Sequence, residues 1–377
     1  MKRILIFSLA YLPHVGGAEV ALKEITDRIP DIEFHMVTLR FSQSEKSEEK
    51  IGNVFVHRIG NGASSFSKFL FQFTAARRAS KLHKLQSFDA IWAMMAHSCG
   101  VPAGIFKTFN PKVKYLLTLQ EGDPPEYIER IMWPVWPLFK RGFTKADELQ
   151  AISNFLLAWG KRMGFRGEGV VIPNGVDILR FSNVQHLAPS STTTLVTTSR
   201  LVHKNGVDVI IRALSHLPET IQLVIYGSGP DEEMLKKLAA KTGVAARVRF
   251  AGEIAHSDLQ RALAESDVFV RPSRSEGMGI SFIEAMAAGL PVIATQEGGI
   301  ADFLFDAKRN PNKETTGWAV DKDSPEQISE AVKNIFAHPE QVAKVTETAK
   351  KMVRDKYDWN IIAQQMKKLF DRLLGNR

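Results

Sequence analysis

Between Pro272 and Asp302 the chain reads PSRSEGMGISFIEAMAAGLPVIATQEGGIAD. Ser273 to Gly279 is a loop with two glycines and one glutamate. Ile280 to Ala288 has the spacing of a helix, with Phe282, Ile283, Met286 and Ala287 apolar, and Gly289 suits a left-handed stop just past its end. Leu290 to Ala294 reads as a short buried strand, and Glu297-Gly298-Gly299 as the turn after it. Loop, helix, strand and turn make one half-unit of a parallel α/β sheet. This stretch sets the fold class for the rest of the chain.

Glu276 lies in the loop and Glu284 eight residues on, in the second helical turn. At a rise of about 1.5 Å per residue the two stand roughly 10 Å apart. That is too far for both to act on one atom, and it suits holding the two ends of an extended ligand. The amides of Gly279, Ile280 and Ser281 lie between them at a helix N-terminus, where phosphate binds readily. A solvated loop acid and a helix-face acid would give the same two letters.

The flanking residues narrow the choice. SEGMGISFIEAMAAGLPVIAT, with its glycines, its A-x-A-x-G-x-P-V tail and its E-G-G turn, resembles the E-x7-E signature of the retaining GT-B glycosyltransferases of family 4. The resemblance implies two Rossmann-like α/β domains facing across a cleft, with a C-terminal helix crossing back to the first. It further implies that Glu284 hydrogen-bonds a nucleotide ribose, that Glu276 sits near the transferred sugar, and that the amides between them hold a diphosphate.

Length and composition suit two globular domains. The chain has 377 residues, 44% hydrophobic and 24% charged, which is ordinary for a soluble protein of that size. The single cysteine, Cys99, excludes an internal disulfide framework and a thiolate-rich metal site. MKRILIFSLAYLPHVGGAE begins like a signal peptide, yet its apolar run is short and ends in Pro13 without a cleavage pattern. It is read as a first buried strand, Ile4 to Leu9. No stretch of about 18 apolar residues predicts a membrane span. A cytoplasmic location is expected, with peripheral contact at the inner face of the membrane, for the net charge of +8 is unevenly placed. Residues 1–185 carry 24 Lys and Arg against 17 Asp and Glu, and the remainder 25 against 24. A basic first half calls for an acidic partner. Charge alone does not make a nucleic-acid site, and none is expected.

Gly16 and Gly17 sit at a strand-to-helix turn in P-x-x-G-G-x-E, Pro13 to Glu19. Paired glycines there permit close backbone approach to an anion, or merely a tight turn. By resemblance they face donor phosphates or the acceptor, with His14 beside them. Gln43 to Lys50 reads as a charged loop. Ser64 or Ser65 caps a helix whose Phe66, Phe69, Phe73, Ala76 and Leu82 approximate one face. That face is expected to cover the sheet, leaving Lys68, Arg77, Arg78, Lys81 and Lys84 as a solvated basic side; the alternative is that the helix rests on anionic lipid. Tyr115 to Leu119 is a strand ending in Gln120-Glu121, where ligands of an open sheet bind. Family members often carry His-Asp there, so a catalytic histidine role does not carry over to Gln120; Gln120 and Glu121 are candidates on the acceptor side. Glu129 to Lys145 mixes Trp133 and Trp136 with Arg130, Lys140 and Arg141, which suits either a membrane interface or a core helix interrupted by Pro134 and Pro137.

Pro173-Asn174-Gly175-Val176-Asp177 matches a family turn, and Ser182 to Thr194 reads as a linker. After the strand Leu195 to Thr198, Arg200 and Lys204 are cations at a strand end, well suited to a pyrophosphate. The family pattern has Gly where Ser199 stands and Lys where Asn205 stands, with Lys204 one place earlier. Gly227-Ser228-Gly229-Pro230 ends a further strand and, by resemblance, lines the nucleotide. Glu253 and Ile254 are candidates for the base. Asp321-Lys322-Asp323 has the letters of a metal-binding D-x-D, but it is read as a helix-entry turn and no metal or other cofactor is assigned. Trp359 to Leu374 has Ile362, Met366, Leu369 and Phe370 at helical spacing.

The expected domains are 1–182 with 360–377, binding the acceptor, and 183–359, binding the donor. The expected activity is metal-independent, retaining transfer of a hexose-type sugar from a UDP- or GDP-sugar to a glycan, lipid-linked or small-molecule acceptor. Glu276, Arg200 and Lys204 are the expected catalytic groups. A nucleotide-sugar epimerase or phosphorylase, or a non-catalytic nucleotide-sugar-binding subunit, is the alternative on the same fold, and a nicotinamide dehydrogenase is more distant.

Overall fold

The computed structural model describes residues 1–182 and 192–375. The chain divides into two compact units, Met1–Asn174 with Trp359–Arg377, and Gly175–Asp358. The sequence predicts the boundary at 182 and 183, eight residues later, and most of the expected linker falls on 183–191, outside the described residues.

The first unit is an eight-stranded sheet. Its strands are β1 (Lys2–Phe7), β2 (Ile32–Leu39), β3 (Glu48–Ile51), β4 (Val54–Ile59), β5 (Ala90–Met94), β6 (Lys114–Leu119), β7 (Glu148–Ala151) and β8 (Val170–Val171), in the order β3-β4-β2-β1-β5-β6-β7-β8. All neighbours run parallel except β3 on β4. The charged segment expected as a loop thus supplies an edge strand, where its alternating exposed side chains need no core partner. Helices α1 (Gly17–Asp27), α2 (Ser65–Leu85), α3 (Val101–Phe109), α4 (Pro125–Ile131), α5 (Trp136–Thr144) and α6 (Asn154–Arg162) join the strands.

The second unit holds β9 (Thr193–Thr198), β10 (Ile221–Tyr226), β11 (Val248–Gly252), β12 (Val268–Arg271), β13 (Val292–Ala294) and β14 (Trp318–Ala319), ordered β11-β10-β9-β12-β13-β14 and parallel throughout. Its helices are α7 (Ile178–Ser182), α8 (Val207–Leu214), α9 (Glu232–Lys241), α10 (His256–Ala264), α11 (Ile280–Ala288), α12 (Pro325–Ala337) and α13 (Pro339–Lys356). The central strands are near-continuous apolar runs, as strands covered on both faces must be.

The last helix, α14 (Trp359–Leu374), returns to the first unit. Trp359, Ile362, Met366, Leu369 and Phe370 join the core built on Ile4, Phe34 and Trp92. The Phe370 ring lies 5.2 Å from Trp92 and 5.9 Å from Phe34.

Helix α2 departs from its expected orientation. Its buried face is Phe71, Gln72, Ala75, Ala76, Ala79 and Leu82. Phe66, Phe69, Leu70 and Phe73 stand outside. The three alanines let the helix backbone approach its neighbours closely, and Gln72 donates to the His97 carbonyl at 3.0 Å. The larger rings turn outward. The segment 129–145 is broken at its prolines into α4, a short turn and α5, with Trp133 exposed and Phe139 and Phe143 buried.

Candidate functional site

In the second unit the candidate residues gather at the C-terminal edge of four adjacent strands, β11, β10, β9 and β12. Each strand gives out into a loop, and the loops are tied to one another. The Gly227 amide donates to the Gly252 carbonyl at 2.7 Å, and the Leu201 amide to the Ser228 carbonyl at 2.8 Å. Gly227, at φ +138°, lies so close to the β9 loop that a Cβ would fall 2.0 Å from the Ser199 oxygen. That contact, rather than a dinucleotide fingerprint, is why a G-x-G stands here. Ser228 Oγ donates to Glu253 Oε1 at 2.5 Å, a second tie between the β10 and β11 loops. Glu253 is exposed and Ile254 half-buried.

Arg200 follows β9. It is exposed, and its guanidinium has no ion pair among the described residues. Lys204 is half-buried in the short turn His203–Asn205. Asn205, where the family pattern carries lysine, is buried and turned inward. Its Nδ2 donates to the Arg200 carbonyl at 2.6 Å, and its Oδ1 accepts from Arg271 Nη2 at 3.0 Å.

Arg271 is one of the site residues that the sequence does not single out. It ends β12 and is buried. Nη2 also donates to Glu276 Oε2 at 2.5 Å, and Nη1 to Ser281 Oγ at 2.8 Å, while Nε has no partner among the described residues. The ring of Phe282 lies 5.1 Å from the guanidinium carbon. The signal was a cation closing the apolar strand Val268-Phe269-Val270-Arg271. A charge at that depth requires partners, and Glu276 is five residues away.

Glu276 is only 8% exposed. Its second oxygen, Oε1, accepts from the Gly277 amide at 3.0 Å. The E-G-G turn packs on its backbone: the Gly299 amide donates to the Glu276 carbonyl at 3.0 Å, and a Cβ at Gly298, φ +59°, would lie 2.0 Å from that oxygen. Gly279, at φ +83°, caps α11. The next amides, Ile280 and Ser281, belong to the first turn and have no acceptor within the helix. Glu284, 7% exposed, accepts from His256 Nε2 through Oε1 at 2.9 Å. His256 opens α10, and Arg180 holds its ring and its carbonyl. His256 and Arg180 were not singled out from the sequence.

A clamp steadies this edge from outside. Arg274 forms a bidentate pair with Asp208, at 2.8 Å on each oxygen, and also binds Asp323 and the His203 carbonyl. The partner charge holds the Asp208 carboxyl below the ordinary aspartate range, against burial, and raises Arg274. The D-x-D acids are both committed to arginines, Asp323 to Arg274 and Asp321 to Arg309.

In the first unit the candidates sit at the ends of β1 and β6, on either side of β5. Gly16 caps α1. Glu19, at the third helical position, folds back on it: a Cβ at Gly16 would lie 2.7 Å from Glu19 Oε2. Burial raises the Glu19 carboxyl above its ordinary value, and backbone bonds at Glu19 and Gly16 oppose that. This is half of a capping box, and it explains the acid two residues after Gly17. His14 pairs with Glu45 at 2.8 Å, and its ring lies tilted against Phe41 at 4.5 Å. Gln120 and Asn174 exchange amide hydrogen bonds at 3.0 and 3.2 Å.

Glu121 is a correction. Its side chain is wholly buried and accepts from the Ala96 amide at 2.5 Å, capping a π-helical turn, Ala96–Gly100, after β5. It holds backbone and is not presented to an acceptor. Met95 enters that turn at φ +65°.

Residues 180–352 match the family described as glycosyl transferases group 1, and residues 15–180 the one described as glycosyltransferase family 4. The chain belongs to the family 4-like, group 1 glycosyltransferases. Among relatives of this glycosyltransferase is a GDP-mannose-dependent monoacylated alpha-(1-6)-phosphatidylinositol monomannoside mannosyltransferase of Corynebacterium glutamicum, 26% identical over 97% of each chain. Among solved structures it superposes on the sucrose-phosphate synthase of Thermosynechococcus elongatus with TM-score 0.84, at 19% identity over the whole of both chains. It also superposes on Anabaena HepE in complex with UDP-glucose, TM-score 0.79, 18% identity over 99% of this chain and 100% of that one. Both likenesses place the glycosyltransferase in the GT-B fold.

Proposed function

We propose that this glycosyltransferase moves a hexose-type sugar from UDP or GDP to a glycan, lipid-linked or small-molecule acceptor, with retention of configuration and without a metal. The observation that carries this reading is the interlocked edge of the second unit. There the helix tip of α11, the loop cations Arg200 and Lys204, and the buried acids Glu276 and Glu284 are held on four neighbouring strands. The relative that uses GDP-mannose and the HepE complex with UDP-glucose support a nucleotide-sugar donor.

On this reading the amides of Gly279, Ile280 and Ser281 receive the diphosphate, and Arg200 and Lys204 meet the charge that grows on it as the bond to the sugar loosens. Each carboxylate oxygen has more than one acceptor direction. Glu276 uses one at each oxygen on Arg271 and Gly277, which fixes its plane and leaves acceptors for sugar hydroxyls. Glu284 keeps Oε2 for the ribose while Oε1 engages His256. Glu253 and Ile254 border the base, and Gly227 lines the nucleotide. The sugar–phosphate bond breaks and the acceptor oxygen bonds to the same carbon on the same face. The acceptor proton passes to the departing phosphate oxygen. No side-chain base is required, consistent with Gln120 tied to Asn174. His14 and Gln120 are assigned to the acceptor, and Gly16 and Gly17 to the donor.

The test is a donor panel of UDP-, GDP- and ADP-sugars with a broad acceptor panel, in EDTA, with the product anomer read by NMR. Turnover in EDTA with a retained anomer is expected. An inverted anomer, or turnover restored only by a divalent cation, contradicts the reading. Donor conversion without acceptor points to an epimerase, and nucleotide binding without any turnover to a binding subunit.

A further inference from the structure

The outward face of α2 is the largest feature the transfer chemistry leaves unused. Phe66, Phe69, Leu70 and Phe73 are 69%, 48%, 41% and 38% exposed. Their spacing, i, i+3, i+4 and i+7, is that of one helical stripe. Phe69 and Phe73 meet edge to face at 5.6 Å, so the stripe is a continuous apolar ridge. At about 100° per residue, Arg77, Lys81 and Lys84 fall on the same side of the helix as the ridge. The outward face is thus aromatic in its first half and cationic in its second.

Its charges have little to satisfy them. From Lys50 to Phe88 there are seven Lys and Arg and no Asp or Glu. Arg58 and Arg78 are paired with acids of the β3 edge. Lys68, Arg77, Lys81 and Lys84 are exposed and have no ion pair among the described residues. The apolar exposure is also one-sided. Among the described residues sixteen large apolar side chains stand exposed, and thirteen of them belong to the first unit, although the two units are of similar size.

We propose that α2 is a membrane-docking element: it lies along the surface of an anionic lipid bilayer, with Phe66, Phe69, Leu70 and Phe73 in the headgroup–acyl boundary and Arg77, Lys81 and Lys84 on lipid phosphates. Charge complementarity selects this occupant. A protein groove would cover the ridge but leave the cations unpaired, whereas an anionic interface receives both halves of one face. Aromatic rings beside basic residues are the side chains that such an interface holds best. The helix lies in the plane of the surface, because its opposite face is committed to the core. The proposal stands on exposure and charge and is independent of the donor and of the reaction.

The full chain is floated with vesicles of phosphatidylcholine alone and of phosphatidylcholine with 30% phosphatidylglycerol. Binding to the anionic vesicles is expected to be at least tenfold tighter than to the neutral ones and to weaken with salt. The triple variant Phe66→Ser, Phe69→Ser, Phe73→Ser and the charge variant Arg77→Gln, Lys81→Gln, Lys84→Gln are each expected to lose at least tenfold of it. Their melting temperatures and nucleotide binding should be unchanged, since every substituted side chain is exposed. A second readout uses the buried lone thiol: Cys99 is inaccessible, so Phe69→Cys can be labelled alone with an environment-sensitive dye. Its emission should rise on adding anionic vesicles. Equal binding to both vesicles, no binding to either, or an unaltered triple variant would overturn the proposal. So would a concentration-dependent dimer that the triple variant dissolves, in a protein that ignores vesicles.

Discussion

Arg271 Nη2 lies 2.5 Å from Glu276 Oε2, and the same guanidinium reaches Ser281 Oγ and Asn205 Oδ1. One side chain thereby ties a strand end, the loop acid, the helix tip of α11 and the turn that carries Lys204. Arg271→Met leaves Glu276 buried without its cation, a loss on the order of 3–5 kcal/mol for a buried pair. A lower melting temperature and at least a hundredfold loss of transfer are expected. Arg271→Lys keeps the charge but not the fork, so it should recover stability more than rate. Equal rates in all three proteins would remove Arg271 from the account.

Gly298 is held at φ +59° with the Glu276 carbonyl where its Cβ would be. Gly298→Ala must push the loop away from that oxygen. A drop of several degrees in melting temperature is expected, with weaker nucleotide binding, measured by thermal shift and titration. An alanine accepted at no cost to either would show that the turn does not fix Glu276.

Glu284 is expected to act on binding more than on the chemical step. Glu284→Ala should weaken UDP or GDP binding at least tenfold while leaving kcat within a few-fold once donor is saturating. His256→Ala frees Oε1 and should shift the same affinity, without a large change in melting temperature, because His256 is exposed. A kcat collapse in Glu284→Ala at unchanged affinity would move this acid from the ribose to the reacting sugar.

Most strands, the helix in the opening stretch and the helix α14 were legible because each is written as a local period: apolar strands, helical spacing, a glycine stop; that α14 returns to the first unit was implied by the family resemblance. What was illegible depends on depth and on partners. Phe66, Phe69 and Phe73 have helical spacing whether they face the core or the solvent, and the alanines at 75, 76 and 79 decide which. Glu121 and Gln120 are adjacent letters, yet one caps buried amides and the other pairs with Asn174. Arg271 looked like the end of a strand, since its partners lie 5, 10 and 66 residues away.

Glu19 gives a pH signature. Burial raises its carboxyl in the folded chain, so between the ordinary glutamate value and the folded one the native state holds more protons than the unfolded state. Stability therefore falls as pH rises through that window, and the loss is complete above the folded value. Glu19→Gln should remove this slope: the difference in unfolding free energy between the two proteins, by urea titration, should move in favour of the variant as pH rises from about 4.5. A difference independent of pH would mean that the carboxyl is not perturbed.

The central claim is that a nucleotide diphosphate is received by the β9 loop and the tip of α11. Calorimetric titration of the wild-type chain and Arg200→Ala with UDP and with GDP, in EDTA, tests it most directly, since Arg200 is exposed and its removal leaves the fold intact. The account predicts saturable binding of one nucleotide by the wild-type chain, weakened at least tenfold in Arg200→Ala at an unchanged melting temperature. Binding of neither nucleotide, or equal binding by both proteins, would contradict it.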